Sequence, residues 1–596
     1  MMLKEDTENL GRTATAGTQA GATAGTTAEA DATRRATRLE ALLGDPYAED
    51  NPHGLRSLFA ADTHRTPPQE TEHLLTEAGL NAEFVPAEYG GRLVRADLLA
   101  QVLRPVFRRD VTLGFGYGII SLFAASAVWA AGSRDQREAL ARLLLDGGRA
   151  TILHHELAHA NAILRQEFTA RAAPDGGYLL AGRKDVIINA RRSDVHVVYA
   201  RTDPARGPRS HSVLLVEPGR VPPGTVLELP RAQTSGMRGA LFSGLEFIDS
   251  PVPADALVGR PGEGVALALR TFQVNRSLIC GVVTASADTV LRSAVRAVSR
   301  EAGGVPARRW HRPLAGVFAD LLACDAMATA VLRALSLLPD RAHVCAAAVK
   351  YVVPDLLRDD LEELATVLGG RGYAHDSAEY GALDKLMRDL PVAGLGHAGT
   401  ASCQSVIVPQ LRALAERSWF AEPEPPRGLF GDGAGLPPLD HRLLGIAGGG
   451  DFMAASLVAS ARRLAGRRDG AGVRALAGLA EGFVGELRTL AAACRRLPDY
   501  GASALADPAV CGLSDRYCVV VGAAAVLGVW EAAQGGADPF LADPAWALLA
   551  LSRLGRRLGT VEVRLPDGTQ ESVLEELVAR YRAGRGFDLG GRELAP

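Results

Sequence analysis

The sequence predicts an α+β fold in which a central β region lies between helical regions. In residues 36–149 apolar residues recur every three or four positions, as on the buried side of a helix. In residues 150–262 the pattern changes to short β-rich runs, and the helical period returns afterwards. The length of 596 residues, of which 47% are apolar, is sufficient for several packed domains.

The N-terminal part is predicted to consist of a tail and a helical domain. Residues 1–35 are rich in Ala, Thr and Gly and carry too little apolar surface to order themselves, so we expect a disordered tail. In the helical domain, residues 36–149, the apolar stripe Leu98–Leu103 predicts a helix that Pro105 kinks or ends. The string Pro86–Gly91 predicts a loop.

The β domain is predicted over residues 150–262. Glycine and proline separate its short β-rich runs, a pattern typical of a small β-barrel or sandwich. The runs are Tyr178–Gly182, Val195–Ala200, Ser212–Val216 and Leu245–Phe247.

Two further helical regions are predicted after the β domain. Residues 263–420 keep a helical period and are expected to form a bundle. Residues 421–439 include a Pro/Gly-rich stretch that predicts a linker. Residues 440–596 are again mostly helical and are expected to form an additional domain.

Composition argues against several classes of partner. The net charge of −3 gives no reason to expect a nucleic acid. The seven cysteines contain no C-x-x-C pair, which fits a reducing cytoplasm and argues against disulfides and zinc. The longest apolar run, Cys518–Trp530, is too short to span a bilayer, and no signal peptide is seen, so we expect a cytoplasmic protein without a membrane partner. Positive charge is almost all arginine, and the four lysines are Lys4, Lys184, Lys350 and Lys385.

Several short strings, in a fixed order, carry a family resemblance. Leu368–Tyr373, Lys385–Asp389 and the pair Gly399-Thr400 together resemble the C-terminal helical core of the acyl-CoA dehydrogenase family. Strings upstream agree in order and spacing, so the resemblance covers roughly residues 84–406. They are Pro86–Gly91, Gly182–Asn189, Phe247–Pro253, Val258-Gly259 and Gly262–Gly264.

The resemblance implies FAD, held in an extended shape between the β domain and the helical domains. The counterpart of the family's segment beside the flavin pyrimidine is residues 152–161, whose backbone groups are expected to bond the ring edge. The predicted cofactor residues of this segment are His154, His155, Glu156 and Asn161. The histidines also fit ordinary surface or hydrogen-bonded side chains, and no ligand cluster around them indicates a metal. Val186 and Ile188 stand where relatives place aromatic and hydroxyl residues beside the flavin.

Other predicted cofactor residues are expected to act across a homodimer. Arg308, Arg309 and Trp310 resemble the segment that reaches a neighbour's FAD, although Ala307 and Phe318 replace the arginine and glutamine usual in the family. The turn Leu368, Gly369 and Gly370 resembles the one that approaches the dinucleotide from the partner, where glycine lets the backbone come close. Thr400 and Ser402 are expected beside the same cofactor.

The family's catalytic carboxylate is missing from both of its usual positions. The residue before Gly399-Thr400 is Ala398, and the residue before Arg276 is Asn275. Neither side chain can take a proton from the substrate α-carbon. Three explanations stay open: His397 or His375 serves as the base, decarboxylation of a β-keto acid removes the need for one, or the reduced flavin reacts with oxygen and oxygenates the substrate.

The leading hypothesis is an FAD-dependent oxidoreductase specialised for secondary metabolism. Its substrate would be an acyl or β-keto compound, free or bound to CoA or a carrier protein. Arg276 would hold a leaving carboxylate, with His397 and Asn275 beside it. Decarboxylation, desaturation and oxygenation combine in the epoxyketone synthases of this superfamily. The alternatives are a fatty-acid β-oxidation dehydrogenase with a relocated base and a catalytically silent binding protein.

Overall fold

The computed structural model describes residues 27–159, 162–301, 306–394, 399–433, 435–446, 449–467, 469–498, 501 and 504–595. Residues 27–43 are helical (α1), and the side chains of Ala32 and Ala36 are buried. The expectation of a disordered tail to residue 35 was therefore wrong for residues 27–35. Small alanine side chains let this helix lie close against its neighbours. Burial of the tail's few apolar groups is sufficient to stabilise the helix.

Six more helices complete the N-terminal region. They are α2 Leu55–His64, α3 Gln69–Glu77, α4 Ala96–Arg109, α5 Val111–Gly114, α6 Ile120–Ala131 and α7 Arg134–Leu145. Helix α4 continues past Pro105, so Pro105 does not end the helix. Proline costs a helix about 3 kcal/mol, but the stripe around it, including Val102, Val106 and Phe107, is buried and holds the helix in place.

The central region is one eight-stranded mixed sheet. Its strand order is β6-β7-β3-β2-β4-β5-β8, and β1 pairs in parallel with β4 beside β2. The strands are β1 Ala150–Leu153, β2 Thr169–Ala172, β3 Tyr178–Ile188, β4 Val195–Arg201, β5 His211–Val216, β6 Val226–Glu228, β7 Phe242–Val252 and β8 Leu257–Val258.

Strand β4 shows how the sheet packs on both faces. Val195, Val197 and Tyr199 belong to a core shared with α6 and α7, whereas Val198 and Ala200 belong to a second core among the strands. This alternation follows from the two-residue period of a strand, and burial on both faces explains why β4 is almost continuously apolar. The sheet therefore lies against the N-terminal helices and also encloses apolar side chains of its own.

Three long helices form the centre of the bundle. They are α8 Gly264–Glu301, α9 His311–Leu337 and α10 Ala342–Leu368, and α8 also packs on α4. Shorter helices follow: α11 Gly381–Asp389, α12 Pro391–Gly394, α13 Thr400–Ile407 and α14 Leu411–Arg417.

The C-terminal helices share the core of the bundle. They are α15 Phe452–Ala465, α16 Gly470–Cys494, α17 Pro508–Ala532, α18 Pro539–Ala542, α19 Pro544–Leu558 and α20 Thr569–Arg582. Helices α17, α19 and α20 pack directly on α9, and one continuous apolar cluster runs from the N-terminal helices through the bundle into them. The predicted additional region is thus helical, but it has no separate core. The predicted α+β class is confirmed.

The string Lys385–Asp389 joins three parts of the chain. The Lys385 ammonium donates to Asp110 Oδ1 at 2.8 Å and to Thr112 Oγ1 at 2.9 Å, and Asp389 also accepts from it. Asp389 further accepts the backbone N–H of Met237. These bonds tie α11 to the start of α5 and to the loop before β7.

Four helical stretches in the described part are long and apolar enough, by length and composition alone, to cross a membrane. Between 67% and 100% of their apolar windows is buried inside the protein. Length and composition alone therefore do not distinguish these helices from membrane spans, because helices at the centre of a large core are apolar on all sides. The stretches are Val111–Ala131, Gly264–Arg300, Arg308–Leu337 and Pro508–Ala532.

Candidate active site

Lys184 of β3 lies under the loop between β1 and β2 and anchors it by hydrogen bonds. The Lys184 side chain is 0% exposed, and its ammonium donates to Glu156 Oε1 at 3.1 Å, Gln166 Oε1 at 3.3 Å and the His154 carbonyl at 3.4 Å. Gln166 Nε2 also donates to the His154 carbonyl. An ammonium has three donors, and all three are used here. The loop predicted to contact the flavin is therefore anchored at His154, Glu156 and Gln166.

The Glu156 carboxylate faces into the protein. Its oxygens accept the backbone N–H groups of Glu167 at 2.7 Å and Phe168 at 3.0 Å, in addition to the Lys184 bond. Burial raises the pKa of Glu156, but the Lys184 charge and these two N–H groups outweigh burial and hold that pKa below its usual value. Glu156 was predicted to bond the flavin through its backbone, and its side chain supports the loop.

His154 connects the loop to α8 through edge-on contacts between rings. Its ring centroid lies 5.1 Å from that of Tyr199 and 5.2 Å from that of Phe272, both in edge-on geometry, and the ring of His155 is 5.3 Å away. His154 is 2% exposed, whereas His155 is half-buried. The surface interpretation of His154 was therefore wrong, and this side chain is part of the packing between the sheet and α8.

The end of β3 is fixed by two hydrogen bonds from neighbouring elements. Thr151 Oγ1 donates to the Ile188 carbonyl at 2.7 Å, and Asn189, at φ 61°, donates from Nδ2 to the Gly116 carbonyl at 2.7 Å. Val186 and Ile188 are half-buried, while Ile187 between them is buried. The two predicted ring-facing residues are thus on the accessible side of this strand end.

Asn275 and Arg276 lie deep in the protein, one turn along α8 from Phe272. Residues three and four positions apart share a side of a helix, so all three face toward the loop side of α8. Asn275 is 0% exposed, and among the described residues neither amide atom has a hydrogen-bond partner. Burying an amide in this way costs about 1–3 kcal/mol.

Arg276 and Lys350 are buried cations near the start of α13. Burial lowers the pKa of Arg276, and the Cys403 thiol of α13 acts in the opposite direction. Burial also lowers the pKa of Lys350 on α10, whose ammonium donates to the Ala393 carbonyl in α12. Helices α12 and α13, which come before and after the position of the family's base in the chain, thus both lie near these buried cations.

Three predicted site residues fall outside what the structure describes. Asn161, His397 and Ala398 lie in the gaps of the described ranges, so their predicted roles are untested. Thr400 is the first residue of α13 in the backbone, and Ser402 is half-buried on the same helix. His375 is exposed, which removes it from the buried surroundings of Arg276.

The residues predicted to reach a partner's FAD are at the surface. Arg308 and Arg309 are exposed, and the Arg309 guanidinium lies 5.0 Å from the centre of the Trp310 ring. Leu368 is buried, but Gly369 and Gly370 are exposed, and a Cβ on either would meet no atom within 4 Å. An open glycine backbone and two exposed guanidinium groups suit the approach of an external pyrophosphate.

Sequence reasoning missed Lys184, Gln166 and Lys350. A signal was present, because only four of the 65 basic residues are lysine. The three lysines that the structure describes, Lys184, Lys350 and Lys385, are all buried. Where arginine is the default cation, a lysine marks a site with room only for a compact three-donor head.

Comparisons with known proteins identify the class. A family model described as the acyl-CoA dehydrogenase C-terminal domain matches residues 262–409. A cyclohex-1-ene-1-carbonyl-CoA dehydrogenase of Geobacter metallireducens is 29% identical over 331 residues, which are 54% of this chain and 84% of the relative.

Two solved structures resemble the fold. An acyl-CoA dehydrogenase from Bacillus anthracis complexed with FAD superposes with a TM-score of 0.63 at 16% identity, over 93% of this chain and 91% of that one. The prolyl acyl carrier protein oxidase AnaB superposes with a TM-score of 0.52 at 18% identity, over 63% of this chain and 97% of that one. The first likeness extends through the C-terminal helices.

The matched family model and the shared fold confirm the predicted resemblance of this chain to the acyl-CoA dehydrogenase family. Members of this family are FAD-dependent oxidoreductases, and the predicted family and enzyme class are confirmed at that level.

Proposed function

We propose that this protein is an FAD-dependent oxidoreductase that acts on an acyl or β-keto substrate, either free or carried by CoA or by an acyl carrier protein. FAD, when bound, supplies two-electron oxidation of the substrate. The loop at His154–Glu156, the accessible end of β3 and the open Gly369-Gly370 turn fit such a cofactor. The relative's name supports a CoA carrier, and the AnaB structure supports a carrier protein.

In the finer part of this proposal the substrate is a free β-keto acid, which generates its own carbanion by losing CO2. The observation that carries it is Asn275, a fully buried amide at a position where the family places a base. Asn275 cannot accept the α-proton at neutral pH. In a β-keto acid the bond between the α-carbon and the carboxylate breaks, the electron pair stays on the α-carbon and CO2 leaves, so no base is needed.

Arg276 is the residue that would bind the carboxylate before it leaves. Its guanidinium is 1% exposed and desolvated, which strengthens an ion pair with an anionic substrate. Asn275 beside it can donate to the keto oxygen and thereby delocalise the charge that develops on decarboxylation. Desaturation and oxygen transfer in a biosynthetic pathway are the further steps that this proposal includes.

Matched substrates test the decarboxylation. The enzyme loaded with FAD is mixed with a β-keto acid and with the corresponding ketone, while CO2 and flavin absorbance are followed. The acid should bleach the flavin and release CO2, and the ketone should react much more slowly. Equal rates would exclude decarboxylation as the source of the carbanion, and a fully active Arg276→Lys would exclude the bidentate clamp.

Straight-chain acyl-CoA substrates decide the alternative of a fatty-acid dehydrogenase. If they bleach the flavin at the rate of the β-keto acid, a relocated base such as His397 is present. A protein that takes up no FAD after titration would be a binding protein. We further propose a homodimer, supported by the exposed Arg308-Arg309 pair, and light scattering that finds a monomer with bound FAD would contradict it.

A further inference from the structure

Helix α13 is short and receives a directional contact from the C-terminal helices. It has eight residues, too few to be stable alone, so its position depends on what packs around it. Cys403 and Ile407 are buried among apolar neighbours, which attract without setting a direction. Gln404 on the same helix donates from Nε2 to Asp515 Oδ1 of α17 at 2.9 Å.

Asp515 joins two helices of the bundle at one oxygen. The Tyr351 hydroxyl of α10 donates to the same Oδ1 at 2.6 Å. Tyr351 follows Lys350 in the sequence, and Gln404 follows Cys403. Asp515 therefore contacts the residues next to those that lie at the buried cations of the candidate active site. A hydrogen bond to a charged acceptor is stronger and more directional than a neutral one.

Helix α17 is held by hydrogen bonds and packing of its own, so the position of Asp515 on it is fixed. The Tyr517 hydroxyl donates to Asp451 Oδ2 at 2.8 Å, and Trp419 Nε1 donates to the same oxygen at 2.7 Å. The rings of Trp419 and Tyr517 stack with centroids 5.4 Å apart. From Val519 to Trp530 the helix is buried against α9 and its neighbours.

We infer that the C-terminal helices, α15 to α20, position α13 through Asp515, and that Asp515 is therefore a positioning residue for the flavin site. The inference rests on the proposed function, because Thr400 and Ser402 of α13 are the residues predicted to lie beside FAD. It gives the C-terminal region a role in the active site, in addition to its share of the common core.

Hydrogen exchange of α13 tests the inference without any cofactor. In apo protein, Asp515→Ala should speed exchange of the amides of residues 403–407 by about tenfold, the effect of losing one charged hydrogen bond. Asp507→Ala is the matched control, since Asp507 caps the start of α17 through Ala509 and is exposed. Its α13 exchange should stay within about twofold of wild type, and equal exchange in wild type and Asp515→Ala would overturn the inference.

FAD titration then measures the consequence for the site. Asp515→Ala should bind FAD about tenfold more weakly, and Asp515→Asn, which keeps one acceptor oxygen, should recover part of the loss. Gln404→Ala removes the other partner of the hydrogen bond and should also weaken FAD binding. The double variant of Gln404→Ala and Asp515→Ala should bind FAD no more weakly than Asp515→Ala alone. Additive losses would overturn the proposed link. Wild-type protein without FAD affinity would contradict the proposed function, while the exchange experiment would still decide the inference.

Discussion

Lys184 and Glu156 form an ion pair withdrawn from water, with Nζ 3.1 Å from Oε1 and the lysine 0% exposed. Burial lowers the pKa of Lys184 to about 8, although Glu156 acts to raise it. Removing the two charges from water therefore costs free energy, and each charge is stabilised by the other. It supports the loop that is proposed to contact the flavin.

Removing one member of this pair should destabilise the protein strongly. Lys184→Met leaves the Glu156 carboxylate buried without its cation, which typically costs about 3–5 kcal/mol in the free energy of unfolding. Urea unfolding of the apo protein measures this loss. The control Arg183→Met removes a side chain that is 55% exposed and should change little. If Lys184→Met combined with Glu156→Gln is as unstable as the sum of the single variants, the pair is not coupled.

The buried carboxyl of Asp360 on α10 should make stability depend on pH. Burial raises the pKa of Asp360 well above its usual value, the Asp320 charge adds to this, and Arg553 of α19 opposes it. A carboxyl with a raised pKa in the folded state binds more protons folded than unfolded, so stability falls as pH rises above about 4.

The variant Asp360→Asn should remove this penalty. It should be more stable than wild type at pH 8 by about 1 kcal/mol or more, and the difference should shrink toward pH 4. Thermal unfolding across this range measures it. Asp355→Asn, a half-exposed neighbour on α10 that pairs with Arg557 and Arg358, is the control and should not gain stability with pH. A gain for Asp360→Asn that is independent of pH would contradict the raised pKa of Asp360.

An acid placed at Asn275 should restore the usual chemistry of the family. Asn275→Glu supplies a buried base, and a general base contributes a factor of about 10² to 10⁴. Flavin bleaching by a straight-chain acyl-CoA should therefore accelerate by about 10². Asn275→Gln has the same size without the acid and should remain slow. Equal rates in the two variants would mean that position 275 does not face the reacting carbon.

Lys385 should not tolerate arginine. Its ammonium donates to Asp110, Thr112 and Asp389, and the larger guanidinium does not fit among them without displacing α5 or α11. Lys385→Arg should lower the free energy of unfolding by about 1–3 kcal/mol in denaturant. Arg412→Lys, at an exposed pair with Glu416, is the comparison and should be near neutral. A neutral Lys385→Arg would show that the site has spare volume.

Local patterns in the sequence were sufficient for the order of the regions. The helical period through α4 and the β-rich runs around Val195–Ala200 each depend on residues close in the chain, and they predicted elements that the structure contains. Pro105 does not end α4, because packing of α4 on α8, a contact between distant residues, outweighs the local cost. The helical residues 27–35 were missed for a similar reason, since burial of Ala32 depends on partners far along the chain.

The sequence alone was sufficient to infer the family, the missing carboxylate at position 275 and the class of cofactor, because short strings in a fixed order carry them. Only the tertiary structure decided which way Glu156 points, that Lys184 lies beneath the loop and that Asp515 bonds to Gln404. These contacts join residues 28 and 111 positions apart. No periodicity along the chain encodes such pairs, since their energies arise only after packing has removed water and brought the groups together.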